Sequence, residues 1–146
     1  MPVFSREYAT YYDMLYRDKD YGTEADYIAG LLRDAGVTGG NLIDVGCGTG
    51  KHLACMRQKG FSVSGVDMSE GMIERARENL GGDTELMVAD SMTFAFGRQF
   101  AAATSLFHVI SYLTDTDDVI STFANISRHL IGGGYSCLTS GTARAA

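Results

Sequence analysis

The chain has 146 residues, a length typical of one domain that can bury a core of its own. Its formal net charge is −6 and its Lys and Arg residues are scattered, which argues against nucleic-acid binding and favours small-molecule chemistry. No apolar run approaches the roughly 20 residues that span a bilayer, and residues 1–17 are too polar for a signal peptide. The sequence therefore predicts a cytoplasmic protein with no membrane partner.

The three cysteines carry no metal or disulfide pattern. Cys47, Cys55 and Cys137 are odd in number and lack the spacing of zinc ligands. They are interpreted as reduced thiols, and no metal site is predicted.

Residues 1–36 are predicted to form an N-terminal helical arm. Aromatic and apolar residues at mixed three- and four-residue steps indicate an amphipathic helix over Phe4–Tyr16. A second helix is expected over Glu24–Ala35, with Thr23 as its N-cap and Gly36 as its C-terminal stop. The inward face of this helix is predicted to carry Ile28, Leu31, Leu32 and Ala35.

Residues 41–140 are predicted to form an α/β core in which strands and helices alternate, followed by a tail over residues 141–146. The expected strands are Asn41–Val45, Phe61–Val66, Glu85–Ala89, Phe100–Phe107 and Tyr135–Thr139. The expected helices are Thr49–Lys59, a helix capped by Ser69 that runs to Leu80, and Asp115–Leu130 with Val119, Ile120, Phe123, Ile126 and Leu130 inward. Alternation of this kind predicts a doubly wound, mostly parallel sheet of about five strands with helices on both faces.

Ligands of such sheets bind beyond the carboxyl ends of the strands, where a glycine-rich turn follows the first strand. In Asp44-Val45-Gly46-Cys47-Gly48-Thr49-Gly50 the glycines allow a tight turn and aim backbone amides at an anionic group. A dinucleotide-binding turn reads G-x-G-x-x-G, but Lys51 occupies the third glycine position. The NAD-binding interpretation is therefore weakened.

Two further acids follow the next two strands. Asp67 stands 21 positions after Gly46, the spacing of a carboxylate that accepts hydrogen bonds from a ribose diol, although capping of the helix at Ser69 is an alternative. Asp90, in Ala89-Asp90-Ser91, could accept from an adenine amine or be an ordinary loop acid. Met68 and Met92 could sandwich the adenine ring or fill the core.

These segments resemble the motifs of class I S-adenosylmethionine-dependent methyltransferases. The resemblance lies in LIDVGCGTG (Leu42–Gly50), GVDMS (Gly65–Ser69) and VADSM (Val88–Met92). YYDMLY (Tyr11–Tyr16), KDYGTEA (Lys19–Ala25) and SLFHVISYL (Ser105–Leu113) are similar to members that methylate small molecules, including N-methyltransferases of amino sugars. The resemblance covers about residues 8–134 and implies a Rossmann-like fold.

The resemblance also implies roles for individual residues. The loop Gly46, Cys47 and Gly48, supported by Asp44, would hold the methionine part of the cofactor, and Asp67 would hold the ribose. The adenine would be bound by Met68, Asp90, Ser91 and Met92, and the cofactor would be enclosed by Tyr12, Tyr21 and Phe107.

The residues that would orient or deprotonate the methyl acceptor lie mostly near the fourth strand. His108 is a candidate base because imidazole titrates near neutrality, although a packed histidine is an alternative. Tyr112 and Tyr12 could orient the acceptor or be core aromatics. His52 and His129 are expected on helix surfaces. Three functions are compared: methyl transfer to a small amine, hydroxyl or carboxyl acceptor; a cofactor-binding module without turnover; and an NAD-dependent oxidoreductase.

The chain departs from the family pattern at three places. Phe100-Ala101 stands where Phe-Asp is usual, and Gly132-Gly133-Gly134 stands where Pro-Gly-Gly precedes the fifth strand. Family members continue into a further helix and an antiparallel strand pair, and we expect this chain to lack them. The fifth strand would then be an exposed edge, so that the chain either pairs with another copy or is a fragment. Of these two, we expect a homodimer along that edge.

Overall fold

Five parallel strands form one sheet in the computed structural model, which describes residues 6–15, 20–105 and 116–138. The strands are β1 (Gly40–Val45), β2 (Phe61–Asp67), β3 (Glu85–Val88), β4 (Phe100–Ser105) and β5 (Leu130–Leu138). Their order is β3-β2-β1-β4-β5, and all four neighbouring pairs are parallel. The predicted α/β fold is confirmed, and the strand order reverses between β1 and β4.

Helices cover both faces of this sheet. They are α1 (Arg6–Leu15), α2 (Tyr21–Asp34), α3 (Lys51–Gln58), α4 (Glu70–Leu80) and α5 (Thr116–Arg128). Because side chains alternate along a strand, Leu42 of β1 packs into the cluster formed with α2, α3 and α4, whereas Ile43 and Val45 pack into the cluster that includes Ile126 of α5. None of the described helices combines the length and the apolar character that a bilayer crossing needs.

The second arm helix begins earlier than predicted. Its N-cap is Asp20, whose carboxylate accepts hydrogen bonds from the Thr23 amide at 2.9 Å and the Thr23 hydroxyl at 2.6 Å. Thr23 is therefore a donor to the cap and not the cap itself. On the inward face Ile28 and Leu32 are buried as predicted, but Leu31 is 42% exposed.

The predicted inward face of α5 is confirmed at Ile126 and wrong at Ile120 and Phe123. Ile120 is 59% exposed and Phe123 is 41% exposed, whereas the buried residues are Thr122, Asn125 and Ile126. Beside Ile126, the helix packs through the polar side chains of Thr122 and Asn125, which bond to the loop after β3.

The fifth strand also begins earlier than predicted. Phe100 pairs with Leu130 and Ala102 pairs with Tyr135, so residues 131–134 form a bulge within the strand. Gly133 has a φ of 82°, and a Cβ on Gly134 would lie 3.0 Å from the Ala101 carbonyl oxygen. The glycine run is thus part of the strand and not a turn before it.

Candidate functional site

The glycine loop between β1 and α3 is fixed by backbone hydrogen bonds to β2. The amides of Gly46 and Cys47 both donate to the Val66 carbonyl oxygen, at 2.7 and 2.9 Å. Gly50 has a φ of +82°, and a Cβ there would lie 2.7 Å from a methyl carbon of Leu80 on α4. Left-handed backbone and close helix packing together require glycine at this position.

Asp67 joins this loop to the end of β2. One carboxylate oxygen accepts the Gly48 amide at 2.9 Å, and the other accepts the Ser69 amide at 2.9 Å. Burial raises the pKa of Asp67, and these two hydrogen bonds act in the opposite direction. Helix capping is the role of Ser69, whose hydroxyl accepts the Met72 amide, as predicted.

Asp44 lies buried where the strand order reverses. It is 2% exposed, and one carboxylate oxygen accepts the hydroxyl of Thr104 on β4 at 2.9 Å. Burial raises the pKa of Asp44 to about 7. The hydrogen bond from Thr104 lowers this pKa, and the negative charge of Asp67 raises it by a smaller amount. The carboxyl group therefore titrates near neutral pH.

Cys47 shares the environment of both acids. Burial, followed by the nearby charges of Asp67 and Asp44, raises the pKa of this thiol well above its ordinary value. A Cβ on Gly65 would lie 2.8 Å from the Cys47 sulfur, so β2 has room for the loop only because Gly65 has no side chain. The structure thus brings Asp44, Cys47 and Asp67 together, as the sequence predicted.

The segment after β3 lies beside Asp67 and folds back on itself. The Ala89 amide donates to the Asp67 carbonyl oxygen at 3.0 Å, and the Asp90 carboxylate accepts the Met92 amide at 2.8 Å. The hydroxyl of Ser91 lies 3.2 Å from that of Thr122 on α5. These contacts place the predicted adenine segment next to the ribose acid and attach it to α5.

The two predicted adenine methionines differ in exposure. Met68 is 72% exposed, so it does not fill the core. Met92 is half-buried and lines a cavity of about 660 Å³ together with Arg98, Arg128 and His129.

Family comparison decides what kind of site this is. A family described as "Methyltransferase domain" matches residues 42–134, which contain the glycine loop and all three acids. The chain belongs to the methyltransferase domain family. This assignment identifies S-adenosylmethionine as the cofactor, and the five-stranded parallel sheet agrees with the fold of solved members.

Several relatives of this methyltransferase domain act on amino sugars. The chain is 36% identical to dTDP-3-amino-3,4,6-trideoxy-alpha-D-glucopyranose N,N-dimethyltransferase of Streptomyces venezuelae over 90% of its own length and 56% of the relative's. It is 30% identical to dTDP-4-amino-2,3,4,6-tetradeoxy-D-glucose N,N-dimethyltransferase of Saccharopolyspora spinosa over 93% and 55%. The chain spans just over half the length of these relatives.

Solved structures show the same similarity. DesVI of Streptomyces venezuelae superposes with a TM-score of 0.81 and 37% identity over 87% of this chain and 54% of its own. The amino pentose methyltransferase CalS10 of Micromonospora echinaspora, solved with S-adenosylmethionine bound, has a TM-score of 0.77 and 34% identity over 82% and 51%.

The crevice of this methyltransferase domain has groups that fit such a cofactor. These groups are carboxyls: the amides of Gly46, Cys47 and Gly48 donate to the Val66 carbonyl oxygen and to Asp67, so the prediction that they are aimed at an anionic group is wrong at these three positions. Asp67 uses two of its lone pairs on Gly48 and Ser69 and keeps others for hydroxyl donors. No group of three or more potential metal ligands occurs among the residues that the structure describes.

Two histidines were placed wrongly by the sequence. His52 is 7% exposed and lies 2.8 Å from a carboxylate oxygen of Glu24, with its ring against that of Tyr21. His129 is 8% exposed, bonds to the Asn125 carbonyl oxygen at 2.7 Å and stacks on Phe94. His52 in α3 and His129 in the turn after α5 are both packed, because a polar partner lies within reach of each ring.

Three predicted site residues lie outside the described residues. They are Phe107, predicted for the cofactor, and His108 and Tyr112, predicted for the acceptor, and all three follow β4 in the chain. Tyr12 lies in α1 and Tyr21 begins α2, and their closure over the cofactor stays a prediction.

Sequence reasoning also missed Asp13, Thr49 and Thr104, which are buried and hydrogen-bonded around the glycine loop. No local pattern marks them, because their partners are 36 and 60 residues away.

Proposed function

We propose that this chain transfers the methyl group of S-adenosylmethionine to a small-molecule amine, and that the amine belongs to an amino sugar. The observation that supports cofactor binding most strongly is the Asp67 carboxylate bonded to the Gly48 amide beside buried Asp44. The amine acceptor is supported by the relatives, which are N,N-dimethyltransferases of dTDP-linked amino sugars. Hydroxyl and carboxyl acceptors are the broader alternatives.

Each part of the cofactor has a proposed partner. The backbone of Gly46, Cys47 and Gly48 holds the methionine part of the cofactor, and Asp44 supports it. The ribose hydroxyls donate to Asp67. The adenine is held by Met68, Asp90, Ser91 and Met92, and the site is closed by Tyr12, Tyr21 and Phe107.

The chemistry needs positioning more than covalent assistance. Bound S-adenosylmethionine supplies an electrophilic methyl group. The residues of the chain then have to hold the acceptor nitrogen in line and exclude water, an orientation effect worth several kcal/mol. We assign acceptor orientation to Tyr12 and Tyr112, and we assign the proton that the amine loses to His108.

A labelled-methyl assay tests this function. The full chain is incubated with methyl-labelled S-adenosylmethionine and, in separate reactions, a dTDP-linked amino sugar, its hydroxyl analogue and a carboxylate. We expect label in the amino sugar and less label with His108→Ala. Label in the hydroxyl or carboxyl compound instead would contradict the amine assignment.

A second candidate is a module that binds the cofactor without turnover. It is supported by the exposed apolar residues Ile120, Phe123, Ile131 and Tyr135, which are grouped on α5 and β5 as on a surface that another element covers. Tight binding of S-adenosylmethionine with no labelled product from any of the three acceptors would favour this candidate.

We also propose that a second copy of the chain covers the β5 edge, in a protein of the cytoplasm. Within the described residues β5 pairs with β4 alone, and Ile131 and Tyr135 on it are 45% and 47% exposed. Unpaired strand edges invite pairing with another chain. Sedimentation of a monodisperse monomer at tens of micromolar would contradict the dimer.

A further inference from the structure

We propose that Asp13 is a positioning residue that fastens α1 to the glycine loop and thereby sets the affinity for the cofactor. The inference rests on the proposed binding of S-adenosylmethionine at that loop. It concerns how the arm is held in place, which the site residues described above leave open.

Asp13 is a buried carboxylate with three side-chain donors. It is 5% exposed. One oxygen accepts the Thr49 hydroxyl at 2.5 Å, and the other accepts Nε of Arg75 at 2.7 Å and the amide nitrogen of Asn79 at 3.2 Å. The hydrogen bond to Asp13 holds the pKa of Arg75 above its ordinary value. A buried carboxylate is tolerated only when hydrogen-bond donors satisfy its oxygens, as these three donors do.

The donors come from the glycine loop and from α4. Thr49 precedes Gly50 at the end of the loop and is 3% exposed. Its carbonyl oxygen accepts a second hydrogen bond from Asn79, at 2.9 Å. Asp13, Thr49 and Asn79 are therefore all hydrogen-bonded to one another, and Thr49 takes part through both its side-chain hydroxyl and its backbone carbonyl.

The described side chains of α1 are mostly polar or small where they are buried. Ala9 and Asp13 are buried, whereas Met14 is 65% exposed. A single buried alanine contributes little apolar area compared with a leucine or phenylalanine. Among the described side chains of α1, Asp13 therefore makes the main contacts that attach the helix to the glycine loop and α4.

This arrangement couples two parts of the cofactor site. If α1 moved away, the Asp13 carboxylate would lose its donors, and the Thr49 hydroxyl would lose its acceptor. Asp13 would exchange these donors for water, and Thr49 and Arg75 would each lose a carboxylate partner. The arm and the end of the glycine loop should therefore hold each other in the geometry that binds the cofactor.

Four single variants of the full chain test the inference. Asp13→Asn keeps the volume but places a donor where acceptors are needed, and Thr49→Val removes the hydroxyl while Thr49→Ser keeps it. Glu78→Gln is the matched control, because Glu78 is the other carboxylate partner of Arg75, at 2.7 Å, and is exposed. Calorimetry with S-adenosylmethionine and S-adenosylhomocysteine gives affinity, and hydrogen exchange of the 6–15 amides in the ligand-free chain reports on α1.

We expect Asp13→Asn and Thr49→Val each to weaken cofactor binding about tenfold or more and to speed exchange in α1. Thr49→Ser and Glu78→Gln should behave as wild type. The double variant Asp13→Asn/Thr49→Val should weaken binding by less than the sum of the two single effects, since both changes break the contact between Asp13 and Thr49. A purely structural role would instead lower the urea midpoint and leave the affinity of the folded chain unchanged.

Two failures are distinguishable. If the wild-type chain binds the cofactor and Asp13→Asn binds it with the same affinity, this inference is overturned and the proposed function is not. A wild-type chain that binds neither S-adenosylmethionine nor S-adenosylhomocysteine overturns the proposed function and the affinity effect with it.

Discussion

The two sides of the sheet are built differently. On the β1–β2 side, the acids Asp44 and Asp67 are enclosed and hydrogen-bonded, and the glycine loop is fixed to β2. On the β4–β5 side, α5 packs through Thr122 and Asn125, and Ile120 on the same helix is 59% exposed. Both sides have exposed apolar residues, among them Met68 on the first and Ile120 on the second, and they differ in the enclosed, hydrogen-bonded carboxyls of the first side.

This difference indicates how the two sides contribute. A cofactor site made of loop amides and buried carboxyls needs a fixed geometry, and close packing supplies it. Exposed apolar residues that are grouped on one helix and one strand are typical of a surface that another element or chain covers. Stability and cofactor binding should therefore respond strongly to changes on the first side and weakly to changes on the second.

The largest expected effect is loss of core packing under the cofactor site. Ile43 on β1 is fully buried, and Ile43→Ala should lower the free energy of unfolding by about 2–5 kcal/mol. Ile131→Ala on β5, where the side chain is 45% exposed, should change it by less than about 0.5 kcal/mol. Urea unfolding measures both, and equal effects would break the comparison between the two sides.

The second prediction concerns pH. The pKa of Asp44 is about 7 in the folded chain against 3.8 ordinarily, so from pH 4 to pH 7 the unfolded state gives up a proton that the folded state keeps. Stability therefore falls as pH rises through this window, by up to about 4 kcal/mol. Asp44→Asn should remove this loss, so that its advantage over wild type in urea unfolding grows from pH 4 to 7. A constant difference between the two proteins would contradict the buried neutral acid.

The third prediction concerns cofactor affinity. Asp67→Ala should weaken S-adenosylmethionine binding by about 1–3 kcal/mol, because the ribose loses its acceptor and Gly48 loses a partner. Asp83→Ala, at an exposed carboxylate in the turn after α4, serves as the control in the same calorimetry. The ribose assignment fails if both variants bind as wild type does.

The smallest expected effects lie within α5. Asn125 donates to the carbonyl oxygens of Ser91 and Phe94, so Asn125→Ala should lower the free energy of unfolding by about 1–2 kcal/mol. Ile120→Ala should change it by less than about 0.5 kcal/mol. Thermal unfolding of the two variants compares the polar and apolar faces, and a larger effect at Ile120 would mean that the apolar face is buried after all.

Much of the fold could be predicted because local patterns agree with it. The bounds of β1, β2 and β3 differ from the predicted ones by one residue each, since short apolar runs ended by glycine or acid leave few alternatives. Ser69 was recognised as an N-cap because its partner, the Met72 amide, lies three residues away. Asp20 was missed because Thr23, which it bonds, is itself a common cap residue.

The errors arise where contacts between residues distant in sequence determine which side chains are buried. The apolar residues of α5 were expected inward, but Thr122 and Asn125 find partners in the loop after β3, more than 30 residues away in sequence. His52 is buried because Glu24, 28 residues earlier, bonds its ring. Local periodicity contains no information about such pairs, so the positions of Asp67 and Asp90 at the strand ends could be predicted and the supporting contacts could not.

Cofactor choice tests the central claim most directly. In this experiment, calorimetry measures the binding of S-adenosylmethionine, S-adenosylhomocysteine and NAD to the wild-type chain and to Asp67→Ala. The results distinguish the methyltransferase interpretation of the glycine loop from the dinucleotide interpretation. We predict binding of both adenosyl compounds, weakened in the variant, and none of NAD. Binding of NAD alone would contradict the account.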